Sequence, residues 1–198
     1  MIESLYEKFR HWSAKGSVYV CSDSHFEDED YIKNPKKRKE IANQYSENIC
    51  KTAHKTDTLI HLGDVGNPEY LKKCKAYKVL VMGNHDSVSD YADLFDEIYD
   101  GPLFISPKIL LSHEAIPGLT WCVNIHGHDH EGEMRYYDSL GGKHLNVAGN
   151  VCGWKVINLG EEIKKGLTSK TKDIHRITID KAIVRAAKRD RKKTPPKT

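Results

Sequence analysis

The sequence lacks most of the features that assign a chain to a specialised class. Its five cysteines, Cys21, Cys50, Cys74, Cys122 and Cys152, are odd in number and widely spaced, with no C-x-x-C among them. That pattern argues against a disulfide framework and against a zinc knuckle. The expectation is five reduced, structural thiols, acting as small hydrophobes where they sit in apolar stretches. No apolar run approaches the roughly 20 residues that a membrane-spanning helix needs. The opening MIESLYEKFRHW is amphipathic and has no continuous apolar core of the signal-peptide kind. A cytoplasmic protein that does not engage a membrane is therefore expected. There is no internal repeat and no long low-complexity segment, and 198 residues are enough for one domain with a sizeable core.

The charge is unevenly distributed. The net charge is +3, yet from Lys170 onward eleven Lys and Arg stand against three Asp, so the body before it is acidic. This divides the chain into a domain over 1–167 and a basic C-terminal tail over 168–198, with a helix predicted over 178–193. Such a tail is either a solvated face or a contact for nucleic acid or an acidic partner.

Hydrophobic patterning predicts a helix over 2–12, then strand, helix, strand, short helix, strand through residue 82, the order of βαβ units and a parallel sheet. The helices fall at about 36–52, 68–75 and 90–95. The second half reads as short strands near 98–99, 103–105, 108–111, 120–125, 144–147 and 155–157, joined by Gly and Pro turns, with a helical turn at 161–165.

Five apolar runs end in metal-ligand residue types: Asp23-Ser24-His25, Gly63-Asp64, Gly83-Asn84-His85-Asp86, Ser112-His113 and Gly127-His128-Asp129-His130. In open α/β sheets ligands bind at the carboxyl ends of strands, so the five loops should converge. Carboxylate, carboxamide and imidazole together suit Mn, Fe, Ni or Zn better than Ca or Mg. So many Asp, Asn and His in one place would be costly to bury unless coordinated, and one ion would leave most of them unpartnered. Two divalent ions fit the count, and Asp64, midway in the set, can bridge them. Such a centre keeps positive charge and favours a phosphate. Asn67, followed by Pro68, reads as a turn or cap residue. His61 and His126 read as satisfied core groups.

Asp-x-His, Gly-Asp, Gly-Asn-His-Asp, a lone His after a strand, and Gly-His-x-His, in that order over about 17–160, resemble the calcineurin-like metallophosphoesterase superfamily. The resemblance implies an α/β, four-layer αββα sandwich with the metal site at the carboxyl ends of the strands. It implies one ion on Asp23, His25, Asp64 and His130, and a second on Asp64, Asn84, His113 and His128. Mn is favoured, with Fe, Ni or Zn as the other candidates. It further implies a phosphomono- or phosphodiesterase in which a hydroxide bridging the ions attacks phosphorus in line. His85 would protonate the leaving oxygen or steady the transition state, and Asp86 would orient the His85 imidazole. Arg135 and Tyr136, in the loop leaving the fifth motif, are candidates to bind substrate, the alternative being a surface hairpin turning at Gly141-Gly142. A non-catalytic binding module on the same fold is the other reading of the whole chain.

Overall fold

A computed structural model describes residues 6–172. Part of the helix expected over 2–12 and the helix expected over 178–193 lie outside the described residues. Within them a 3-10 helix, Glu7–Ser13, buries Phe9 and Trp12, and β1 follows at Val18–Cys21. Helix α1 spans Pro35–Thr52. The Asn34 side chain caps it by accepting from Lys37 N, and Pro35 starts it with a preset φ. Ala42, Tyr45 and Ile49 form its buried stripe. Then come β2 (Thr58–His61), a 3-10 turn (Pro68–Leu71), β3 (Tyr77–Val81), α2 (Val88–Tyr91) and β4 (Glu97–Tyr99). The two short helices expected here are thus single turns. The first starts where Asn67 accepts from Glu69 N at 3.1 Å, the capping role read for Asn67.

The second half is β5 (Leu103–Ser106), β6 (Ile109–Leu111), β7 (Val123–His126), β8 (Arg135–Tyr137), β9 (Lys143–Asn146), β10 (Ile157–Asn158) and α3 (Leu159–Lys164). Two five-stranded sheets result, ordered β10-β1-β2-β3-β4 and β5-β6-β7-β9-β8. In the first, β1 to β4 are parallel and β10 is antiparallel to β1. In the second, β6, β7 and β9 are parallel, with antiparallel β5 and β8 at the edges.

The α/β two-sheet sandwich is as expected. One apolar core, including Val20, Ile60, Val79, Leu111, Val123, Ile125 and Leu145, fills the space between the sheets. A second, including Tyr45, Ile49, Leu59 and Leu80, lies between the first sheet and α1. Each fully buried Leu, Ile or Val in these cores contributes about 1.5–3 kcal/mol. On the far face of the second sheet the segment 114–122 provides described cover, with Ile116 N donating to Asn124 Oδ1 at 2.7 Å. All five cysteines are free, and Cys21, Cys74 and Cys122 are buried. Among the described residues no helix is long and apolar enough to cross a membrane.

The topology fixes where the chemistry collects. The five ligand-bearing loops leave β1, β2, β3, β6 and β7, and each of these strands is parallel to a sheet neighbour that carries another of the loops. Parallel pairing brings those carboxyl ends to a common edge.

Candidate metal centre

The loops after β1 and β2 are zipped together by backbone hydrogen bonds, Asp23 N to Gly63 O and His25 N to Asp64 O, both 3.0 Å. The pairing forces an uncommon backbone: Asp23, His25 and Asp64 have φ of 51°, 39° and 54°, and His128 from β7 has 65°. Four ligand-type residues in the left-handed region constitute real strain, and such strain gathers at functional sites. Close approach also explains two glycines. A Cβ on Gly83 would lie 2.2 Å from Asp64 Oδ1, and one on Gly127 would lie 2.0 Å from Asp23 Oδ2. Gly83 has no positive φ; glycine is needed there for space beside the carboxylate.

Two groups of ligand atoms form, Asp23 with His25 and His130, and Asp64 with His113 and His128. The key separations are short. His113 Nε2 lies 3.0 Å from Asn84 Oδ1 and 3.1 Å from His128 Nδ1. Asp64 Oδ2 lies 3.4 Å from His113 Nε2 and 3.5 Å from His25 Nε2, and Asp23 Oδ1 lies 3.6 Å from His130 Nε2. Atoms bonded to one ion at about 2.0–2.2 Å and near right angles stand about 3 Å apart, so these spacings suit coordination.

Three of the four imidazoles are oriented through Nδ1. His25 Nδ1 donates to Asp28 Oδ2 at 2.8 Å, His113 Nδ1 to the Leu62 carbonyl at 2.8 Å, and His130 Nδ1 to Asn150 Oδ1 at 2.9 Å. A proton on Nδ1 leaves the Nε2 lone pair facing the centre. The His25 Nε2 atom is buried with no hydrogen-bond partner, and the His113 lone pair faces another acceptor, the Asn84 carbonyl oxygen. A buried acceptor with no donor beside it, and a second pair of acceptors facing each other, suit a cation.

The electrostatics agree. Burial pushes the Asp23 carboxyl up. Burial would do the same to Asp64, but the hydrogen bond and charge of His113 hold it at about 2. Burial alone would push His113 down; the hydrogen bond and charge of Asp64, with the charge of Asp23, push it up. The centre favours positive charge.

The seven residues proposed as ligands from the sequence are therefore brought together. Two roles read from the sequence need correction. Asp86 does not hold the His85 imidazole: its Oδ2 accepts from Gly83 N and Asp64 N, each 2.8 Å, and its Oδ1 from Val65 N at 3.0 Å. Three backbone amides occupy the carboxylate. His85 itself is exposed, donates its backbone N–H to Asp64 Oδ1 at 3.1 Å, and sets its ring 5.7 Å from that of His25. Arg135 and Tyr136 do not line the centre either. They belong to β8 and face opposite ways, Arg135 to Glu162 at 2.6 Å, Tyr136 to His126 Nε2 at 3.0 Å and flat on His144. The hairpin turning at Gly141-Gly142 is what forms. His126 is thereby satisfied at both nitrogens, whereas His61 is satisfied only at Nε2, 2.8 Å from Ser24 Oγ, and its buried Nδ1 has no hydrogen-bond partner.

The sequence reading missed Asp28, Asn150 and Tyr31. Tyr31 packs flat on His25 and tilted on His130, and burial, with the Asp23 charge, pushes its phenol up to about 12. Asp28 and Tyr31 follow the first motif within a few residues, the only sequence signal available. Asn150 carries none.

Residues 17–181 match the pattern of the calcineurin-like phosphoesterase superfamily domain. A solved protein of unknown function from Aquifex aeolicus, AQ665, is 29% identical with a TM-score of 0.60, over 75% of this chain and 98% of that one. A conserved uncharacterized protein from Streptococcus pneumoniae, described as a predicted phosphoesterase, is 17% identical with a TM-score of 0.33, over 66% of this chain and 70% of that one. No curated protein matches the chain.

Proposed function

The chain belongs to the calcineurin-like phosphoesterase superfamily, and on that premise we propose that it is a dinuclear metal-dependent phosphoesterase that hydrolyses a phosphomono- or phosphodiester by in-line displacement. The observation that carries this reading is the position of Asp64. Its Oδ2 stands between the two groups of ligand atoms, 3.5 Å from His25 Nε2 and 3.4 Å from His113 Nε2. A carboxylate so placed can serve two ions at once.

Asp23, His25, His130 and Asp64 would hold one divalent ion, and Asp64, Asn84, His113 and His128 the other. Mn suits this mixture of oxygen and imidazole donors, with Fe, Ni or Zn as alternatives. When bound, two such ions supply a nucleophile at neutral pH and a positive clamp for the phosphoryl oxygens. The chain's own residues do the rest. Asp28, Leu62 and Asn150 fix the ring orientations through Nδ1. Asp86 fixes the Asp64 backbone. His85, exposed beside the centre, would hold a proton for the leaving oxygen. A boundary near 167 with a basic tail that contacts nucleic acid or an acidic partner, and a cytoplasmic site of action, remain part of the proposal.

The test is a panel of mono-, di- and cyclic phosphoesters assayed after chelation and again with added Mn. Hydrolysis that is lost on chelation and restored by Mn is the expected result. A purified chain with no bound transition metal and no Mn-dependent hydrolysis overturns the reading.

A further inference from the structure

The two groups of ligand atoms are not built alike. The Tyr31 ring centroid lies 4.6 Å from that of His25 at an interplanar angle of 25°, and 4.6 Å from that of His130 at 35°. His25 follows β1 in the first sheet and His130 follows β7 in the second, with ring centroids 5.2 Å apart. Each ring has its own Nδ1 anchor, Asp28 for His25 and Asn150 for His130. Tyr31 is the contact they share across the seam between the sheets. In the other group His113 and His128 meet edge to face at 4.9 Å, with no third aromatic ring on them among the described residues.

Tyr31 is itself held in register. The Asp28 carboxylate that accepts the His25 Nδ1 proton through Oδ2 also accepts, through Oδ1, the backbone N–H of Asp30 at 2.9 Å and of Tyr31 at 3.4 Å. The next residue is tied down twice, Ile32 N to Asp28 O at 3.1 Å and Arg38 Nη1 to Ile32 O at 3.0 Å. One carboxylate therefore sets both a ligand ring and the ring that stacks on it. Tyr31 is half-buried against His130, whose side chain is 25% exposed.

From this asymmetry we infer that Tyr31 is a positioning residue that sets the affinity of one ion only, the ion held by Asp23, His25 and His130. The inference rests on the two-ion reading above. A ring stacked on one imidazole and tilted against the other restricts both to the orientation that aims Nε2 inward, so less ordering is needed when the ion binds. The hydroxyl is not required for this, so phenylalanine should serve as well.

The experiment is calorimetric titration of the chelated, full-length chain with Mn, for the unaltered protein, Tyr31→Phe and Tyr31→Leu, each also in His128→Ala and His130→Ala backgrounds. Leucine fills space but cannot stack. Tyr31→Leu should weaken one ion by about 10–100-fold, the range for losing a group that orients a metal ligand. That loss should persist with His128→Ala, which keeps the affected group, and vanish with His130→Ala. Tyr31→Phe should match the unaltered chain. Equal weakening at both ions, no weakening, or a Phe variant as weak as Leu overturns the inference. No Mn binding by the unaltered chain overturns the two-ion reading itself and this inference with it.

Discussion

Asp86 anchors Asp64: its Oδ2 accepts the Asp64 backbone N–H at 2.8 Å, while the Asp64 carboxylate in turn accepts from His85 N at 3.1 Å. The loops after β2 and β3 are thus locked to each other by two carboxylates exchanging backbone donors. Asp64 has a φ of 54°, a conformation that does not persist without such restraint.

Replacing Asp86 therefore tests the centre rather than the acid. Asp86→Ala leaves three backbone donors without a partner, at about 1–3 kcal/mol for each that water cannot reach. The expected outcome is a large loss of urea stability together with weakened binding of metal. Asp86→Ala with unchanged stability and metal content, but reduced turnover, would restore the role read from the sequence.

His85 has the opposite profile. Its side chain is exposed and holds nothing in the frame, so His85→Ala should keep whatever metal the unaltered chain binds and the stability of the fold. Turnover should fall by about 10²–10⁴-fold, the usual contribution of a positioned acid. The loss should shrink on substrates with good leaving groups such as 4-nitrophenol, read as the ratio of kcat values between poor and good leaving groups.

Gly83 and Gly101 form a matched pair. A Cβ on Gly83 meets Asp64 Oδ1 at 2.2 Å, whereas one on Gly101 meets nothing within 4 Å, and neither position has a positive φ. Gly83→Ala should displace the Asp64 carboxylate and abolish the proposed metal-dependent activity. Gly101→Ala should leave metal content, activity and melting temperature unchanged.

Acid stability depends in part on Glu97, remote from the centre. Its carboxylate accepts from His11, Trp12, Tyr77 and Tyr99, clasping the N-terminal 3-10 helix to β4. Burial would push Glu97 up, but these hydrogen bonds hold it at about 2, below its ordinary 4.5. A depressed carboxyl stabilises the fold above its unfolded value and loses that contribution as pH falls from 4.5 through 2. Melting curves of the chelated chain should decline over that window, and Glu97→Gln should be less stable at neutral pH with a shallower decline.

The convergence of the seven candidate ligands was legible because each follows an apolar strand, and a local pattern of that kind survives in one dimension. Parallel order in the first half was legible from the alternation of strands with helical segments. Substrate contacts were not. The segment carrying Arg135 and Tyr136 reads either as a loop reaching the site or as a hairpin turning at Gly141-Gly142; the hairpin forms, and Arg135–Tyr137 pairs with β9 in a register that sets Tyr136 opposite His144. Strand alternation then sends Arg135 and Tyr136 to opposite faces. Gly141-Gly142 marks the turn, but no spacing in the sequence announces the register.

What the sequence determined by itself is the chemistry: the ligand types, their order, and the strand ends that carry them. What the tertiary structure alone decided is how those groups are held. Asp28, Asn150 and Asp86 act through backbone directions and ring orientations, and Tyr31 joins histidines from two sheets. Such relations depend on the path of each loop after its strand. That path includes positive φ at Asp23, His25, Asp64 and His128, which local propensity disfavours and only packing between the loops sustains.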